Sequence, residues 1–235
     1  MKTIVEEIKK EFSKYNDEKY LVDTGQFEKG VGKGKTYILR TSIVREVSAD
    51  LFRKIKNLPK QKIFLLCEEL LRAGYNSVAF DWAFRLKGQY ERRDFFLFEF
   101  WLKKYVKDWG SCDDFCTHAF GHFLFTYPDF ASRLLSWVRS KNMWLRRASA
   151  VILIYSLRRK ALFQRAIDIA DILLLDEEDL VLKGYGWMLK EASHSYPKEV
   201  FQYVLRNKNV MPRTALRYAI EKFPPLWRRE AMKKD

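Results

Sequence analysis

Apolar residues recur three and four positions apart along nearly the whole chain, and Pro, Gly or Asn interrupts the pattern at short intervals. Ile4, Ile8 and Phe12 open it, Ile152 and Tyr155 continue it, and Leu182 and Tyr185 repeat it late in the chain. That spacing is the period of an α-helix with one buried face. The interruptions fall at Pro59, Gly74, Pro128, Asn142, Pro197 and Pro212. They leave predicted helices over 4–12, 43–57, 61–73, 76–88, 91–107, 111–126, 129–139, 143–158, 160–174, 178–193, 197–206 and 212–222. No stretch alternates with period two, so no sheet is expected. Short helices joined by loops of a few residues fold back on one another. The pattern therefore predicts an all-α solenoid of HEAT-like helical repeats, one domain over 1–235.

Three conspicuous residues fit such a repeat. Trp109 and Arg147 are 38 positions apart (147 − 109), and Arg147 and Trp187 are 40 apart (187 − 147), near the roughly 40-residue repeat of a HEAT array. On that spacing they are expected to occupy equivalent positions and to face one concave surface.

Charge points to the partner. Forty-four Lys and Arg against 30 Asp and Glu give a net charge of +14, an excess that suits a polyanion. It is concentrated: between Ala131 and Lys160 stand Arg133, Arg139, Lys141, Arg146, Arg147, Arg158, Arg159 and Lys160, with no acid in between. Nucleic acid is the expected partner, bound by a monomer.

Other classes are disfavoured. The longest apolar run, AVILIY at 150–155, is far short of a membrane span, and the first residues lack the apolar core of a secretory signal. Three cysteines read as free thiols in a reducing compartment, so the expected location is cytoplasmic, nucleoid-associated in a prokaryote. The segment GVGKGKT at 30–36 lacks the first Gly of a phosphate loop and follows no buried strand; a basic loop approaching a phosphate backbone fits it better. Cys112, Cys116, His118 and His122 lie on one predicted helix, and four ligands from one helix cannot close a tetrahedron, so no metal is expected there. No cofactor is expected either.

The stretch KDWGSCDDF at 107–115 sets two adjacent carboxylates beside Trp109 in this basic chain. On a helix Asp113 lies about 40° around from Trp109 and one turn along, whereas Asp114 lies about 140° around. Taken alone, Trp109 reads equally as a core aromatic and Asp113 as an ordinary first-turn carboxylate. Arg147 in MWLRRASA and Trp187 in KGYGWMLKEA extend the set, and Gly184 and Gly186 predict close approach of another surface. Two indoles and a carboxylate favour a cation, and an Arg favours a phosphate. A deoxyribose losing its base is both cationic and phosphate-linked.

At these residues the chain resembles the DNA alkylation repair glycosylases of the AlkD type. The resemblance covers most of 90–225 and rests on W-x-x-x-D at Trp109 and Asp113, NMWLRRA at 142–148, KGYGWMLKE at 183–191 and RTALRYAIEKFP at 213–224. It implies a HEAT-like solenoid that holds duplex DNA and removes cationic N3- and N7-alkylated purines. By position it makes Trp109 and Trp187 the indoles against the sugar, Asp113 the catalytic carboxylate and Arg147 a phosphate anchor. Arg146, Lys141, Arg158, Arg159, Lys190, Arg213 and Arg217 are the further expected DNA contacts. Two departures stand out. Gly110 occupies a position where relatives commonly carry an acid, and YILRTSIVREVSADLF at 37–52 stands where they carry G-[IV]-x-x-P-x-x-R. With Asp114 adjacent, the carboxylate remains open between 113 and 114. The expected activity is a DNA N-glycosylase; the alternatives are a non-catalytic binder of damaged or branched DNA on the same fold, and a helical scaffold for protein partners.

Overall fold

The computed structural model describes residues 3–23 and 37–233, so the glycine-rich segment at 24–36 lies outside the described residues. The chain is an all-α helical repeat protein that forms two compact units, 1–89 and 90–235. No helix among the described residues is long and apolar enough to cross a membrane.

The first unit opens with α1 (Ile4–Phe12). Its N-terminus is closed by a reciprocal pair: the Thr3 hydroxyl accepts from the Glu6 amide at 3.2 Å, and the Glu6 carboxylate accepts from the Thr3 amide at 2.8 Å, satisfying two groups a helix end leaves orphaned. α2 (Thr41–Ile55), α3 (Lys60–Arg72) and α4 (Asn76–Arg85) follow and pack on one another. Ile8, Val47, Leu51, Ile63, Leu70 and Trp82 are buried between them. The unit also holds a short antiparallel hairpin, β1 (Leu21–Asp23) with β2 (Tyr37–Leu39), in the register Val22 opposite Ile38. Three residues per strand are too few to show alternation, which is why no sheet was expected.

The second unit contains α5 (Asp94–Tyr105), α6 (Trp109–Thr117), α7 (Ala119–Thr126), α8 (Leu134–Trp137), α9 (Met143–Val151), α10 (Leu153–Leu157), α11 (Phe163–Leu173), α12 (Asp179–Ala192), α13 (Pro197–Asn207), α14 (Arg213–Ala219) and α15 (Pro225–Met232). An aromatic core of Phe95, Phe98, Trp101, Phe115, Phe120, Phe123 and Trp137 fills one end. The Trp137 indole in it donates to the Glu99 carboxylate at 2.8 Å, so the one polar edge of that large ring is satisfied.

Helices α6, α9, α12 and α14 form a row, each packed against the next. Their first residues are spaced by 34, 36 and 34 (143 − 109, 179 − 143, 213 − 179), and this is the repeat. Trp109 is the first residue of α6, Arg147 the fifth of α9 and Trp187 the ninth of α12, so the three do not occupy equivalent positions. The fifth residue of α6 is Asp113. Its equivalent in α9 is Arg147, and the equivalent region of α12 is Lys183 and Gly184. Repeat register therefore pairs the carboxylate with the guanidinium.

Several predicted helices are cut shorter. The segment 111–126 breaks at His118, whose backbone leaves the helix at φ −123 and ψ −93, so α6 and α7 have separate axes. Gly121 permits this: a Cβ there would run into the Cys116 carbonyl and the Tyr155 side chain. α11 starts at 163 and not at 160 because Lys160 and Leu162 are left-handed, with φ 60 at both, a conformation that costs side-chain-bearing residues about 1 kcal/mol or more. Residues 128–133 form a 3-10 helix before the single turn of α8. α15 lies where no helix was expected. It opens on Pro225, and proline is well suited to the first position of a helix.

Gly184 and Gly186 do mark close approach, and the approaching surface belongs to the protein itself. A Cβ at Gly184 would lie 3.2 Å from the Arg147 Cγ, and one at Gly186 would lie 2.8 Å from both the Ala215 carbonyl oxygen and the Tyr218 Cβ. Gly186→Ala should therefore destabilise the protein, although Ala is the better helix former by about 1 kcal/mol. Forcing α12 off α14 is expected to cost about 1–3 kcal/mol, read as a lower urea midpoint. A raised midpoint would show that α14 yields at no cost.

Candidate functional site

α6 begins where Asp108 caps it. The Asp108 carboxylate accepts from the Ser111 amide at 2.8 Å and from its hydroxyl at 2.7 Å, which fixes the first turn and the half-buried Trp109 within it. One turn on, Asp113 points toward α9. Its two oxygens accept from Arg147 Nε at 2.9 Å and Nη2 at 2.8 Å, a bidentate pair of matched planar groups. The third nitrogen, Nη1, donates to the Leu180 carbonyl at the start of α12. Arg147 is only 5% exposed, and the absence of a side chain at Gly184 leaves room for it. One guanidinium thus ties three helices of the row together.

The electrostatics follow from that burial. Loss of solvent pushes the Asp113 carboxyl above its ordinary value; the charge and hydrogen bonds of Arg147 pull it back only in part, and Asp108 and Asp114 add to the rise. Burial works against the charge on Arg147 as well, but Asp113 more than offsets it and the guanidinium stays protonated. Asp113 keeps an 18% exposed side chain, so the carboxylate is fixed by a buried partner and still reaches the surface.

Asp114 turns away, as its angle on the helix predicted. Its carboxylate lies 3.2 Å from His118 Nδ1, and its backbone carbonyl is 2.9 Å from the same nitrogen. His122 Nδ1 lies 2.9 Å from the Tyr155 hydroxyl. Cys112 and Cys116 are buried free thiols, and burial pushes the Cys116 thiol up. No group of three or more potential metal ligands occurs among the described residues.

Arg147 does not sit where a phosphate anchor would. Its guanidinium is turned inward and engaged on Asp113 and Leu180, because the side chain is enclosed between α6, α9 and α12. The basic run at 131–160 also looks different in space. Acids distant in sequence face half of it: Glu99 lies 3.7 Å from Arg133, Asp176 2.6 Å from Arg146, Asp113 2.8 Å from Arg147 and Glu191 2.9 Å from Arg158. Arg146 also donates to the Ser140 carbonyl at 2.8 Å. Arg159 lies 3.6 Å over the Tyr155 ring. Arg139, Lys141, Arg159 and Lys160 are exposed. Farther along, Lys190 pairs with Glu221 at 3.0 Å, Arg213 reaches the Met232 carbonyl at 3.5 Å, and Arg217 is exposed.

Trp187 is half-buried on α12, and its indole N–H donates to the Glu191 carboxylate at 2.9 Å. Glu191 was not anticipated, although its position four residues after Trp187 was a usable signal. Glu99, Asp176 and the Leu180 carbonyl had no local signal, since each comes from another repeat.

The sequence matches the DNA alkylation repair enzyme family over residues 8–223. The chain belongs to that family. Among solved structures, a predicted DNA alkylation repair enzyme from Enterococcus faecalis is similar in fold, with a TM-score of 0.66 at 18% identity, covering 79% of this chain and 87% of that one. A search of curated proteins finds no match. Membership of the DNA alkylation repair enzyme family supports a role in DNA alkylation repair.

The pair should behave as a buried ion pair. Asp113→Ala leaves a guanidinium buried without its carboxylate and is expected to cost about 3–5 kcal/mol, whereas removing both charges in Asp113→Ala/Arg147→Met should recover most of that loss. Urea denaturation of the two variants checks it. Equal destabilisation in both would mean that the pair is not the source of the cost.

Proposed function

We propose that this protein is a DNA N-glycosylase that removes cationic alkylated purines, such as 3-methyladenine and 7-methylguanine, from duplex DNA. The observation that carries the reading is Asp113: a carboxylate clamped at both oxygens by a buried guanidinium, one turn from Trp109, in a chain of the DNA alkylation repair enzyme family. An alkylated purine is already positively charged. Its glycosidic bond breaks with the electron pair moving to the base, which leaves neutral and needs no general acid. The sugar is left as an oxocarbenium-like cation. A fixed carboxylate stabilises that charge without reorganising, and each of its oxygens has a further lone pair besides the one facing Arg147. A water adding to the sugar can pass its proton to the same group.

In this reading Trp109 and Trp187 pack on the deoxyribose, and Arg147 is a positioning residue that aims Asp113. The DNA backbone is held by exposed cations, with Arg139, Lys141, Arg159 and Lys160 first among them, and Arg158 and Arg217 adding further contacts.

One observation favours a second reading, a binder of damaged DNA without catalysis. Arg147 offsets much of the charge on Asp113, leaving less to stabilise a sugar cation. Release of free base from methylated duplex DNA, followed by chromatography, separates the two.

With the glycosylase reading, Asp113→Asn should slow single-turnover release of 7-methylguanine by about a hundredfold or more while DNA binding persists. Asp114→Asn should cost far less, because that carboxylate is turned to His118. Circular dichroism establishes that both variants are folded. Full activity in Asp113→Asn would sink the mechanism, and loss confined to Asp114→Asn would move it by one residue.

Binding should depend on salt less steeply than the basic run alone implies. Four to six phosphate contacts by exposed cations correspond to a slope of about −4 to −5 in log K against log salt, or roughly a two-hundred- to thousandfold loss between 50 and 200 mM. A slope near zero would remove the DNA reading. A slope near −8 would mean that the paired arginines open to bind phosphate.

A further inference from the structure

Trp187 does not stand alone on α12. Its indole N–H donates to Glu191 Oε1 at 2.9 Å, and Arg158, at the end of α10, donates from Nε to Glu191 Oε2 at 2.9 Å. The Glu191 side chain is 12% exposed and the Arg158 side chain 47%. Burial opposes the charge on Glu191, yet the bonds from Arg158 and Trp187 outweigh it and hold the carboxyl below its ordinary value. An ionised acceptor makes the indole bond roughly twice as strong as a neutral one would. The helix carrying the pair is itself fixed. Gly186 seats α12 against Ala215 and Tyr218 of α14, and Lys190 pairs with Glu221 at 3.0 Å.

We infer that Glu191 is a positioning residue that sets the orientation of the Trp187 indole, with Arg158 holding the carboxylate from α10. A half-buried indole can turn about two side-chain torsions, and a bond at its one polar atom removes that freedom. The bond also commits the indole N–H to the protein, so Trp187 meets a ligand with its ring and not by donating to a phosphate. Arg158 is the outward member of the chain of contacts. A backbone phosphate drawn to its exposed guanidinium would lie one carboxylate away from the indole.

The inference rests on the proposed role of Trp187 in excision, and the experiment keeps the two apart. In protein labelled with nitrogen-15, the seven tryptophans give indole N–H resonances, and Trp187→Phe assigns the one that matters. Glu191→Ala should move that resonance upfield, and Glu191→Gln, which keeps an acceptor oxygen, should restore part of the shift. Single-turnover release of 7-methylguanine should fall about tenfold in Glu191→Ala, with DNA affinity changed by less than about twofold. In a Trp187→Phe background the same substitution should cost less than about twofold, because the group it orients is gone. An unmoved resonance would overturn the contact, and an equal rate loss in both backgrounds would overturn the positioning role. If the unaltered protein released no base, the glycosylase reading would fall, while the resonance would still decide whether Glu191 holds the indole.

Discussion

The bidentate contact between Arg147 and Asp113 is the interaction around which the second unit is arranged. Two charges removed from water are costly to each other's surroundings unless their geometry is good and their remaining hydrogen-bonding groups are used. Here the geometry is supplied by equivalent fifth residues on neighbouring helices of the row, and Nη1 is used by the Leu180 carbonyl. The glycine at 184 is part of the same arrangement, since a side chain there would occupy the space of the guanidinium. Three successive repeats are thereby held in one register by a single side chain. The carboxylate that results is held at both oxygens, and fixed charge is what the proposed glycosylase chemistry requires.

The basic character of the chain is distributed by the same logic. Arg133, Arg146, Arg147 and Arg158 each meet an acid from another repeat, but only Arg146 and Arg147 do so largely away from solvent. Arg139, Lys141, Arg159 and Lys160 remain turned to solvent, beside the half-exposed Arg133 and Arg158. Pairing also divides neighbours: Arg146 and Arg147 are adjacent in sequence but answer to Asp176, in the turn before α12, and to Asp113, on α6. A charge run in a helical repeat protein is thus not a measure of its free surface charge.

Much of the candidate site was legible locally. The angle between Asp113 and Asp114 on a helix separated their directions correctly, and the structure turns one to Arg147 and the other to His118. The two glycines of α12 announced a close approach, although the approaching surface is α9 at one and α14 at the other. The inference that Trp109, Arg147 and Trp187 were equivalent failed because it counted residues between conspicuous side chains and not between helix starts. The starts are nearly evenly spaced, while the anchors fall on the first, fifth and ninth positions.

The amino-acid sequence by itself determined most of the helical segments, since their apolar period and their breakers act over three or four residues and need no partner, but not the breaks at His118 and Lys160–Leu162. It also determined the family and the residues worth watching, because motifs such as NMWLRRA are local strings. Only the tertiary structure decided what those residues touch. Whether Arg147 faces a phosphate or a carboxylate depends on the rotation of α9 against α6 and α12, and that rotation is settled by packing across 34–36 residues of chain. The short hairpin and α15 escaped for a related reason: three-residue strands and a helix opening on two prolines have too little periodic signal of their own; α15 is seated by Trp227 stacked on Phe201 of α13 and by the buried Ala231, while Val22 and Ile38 of the hairpin stay exposed.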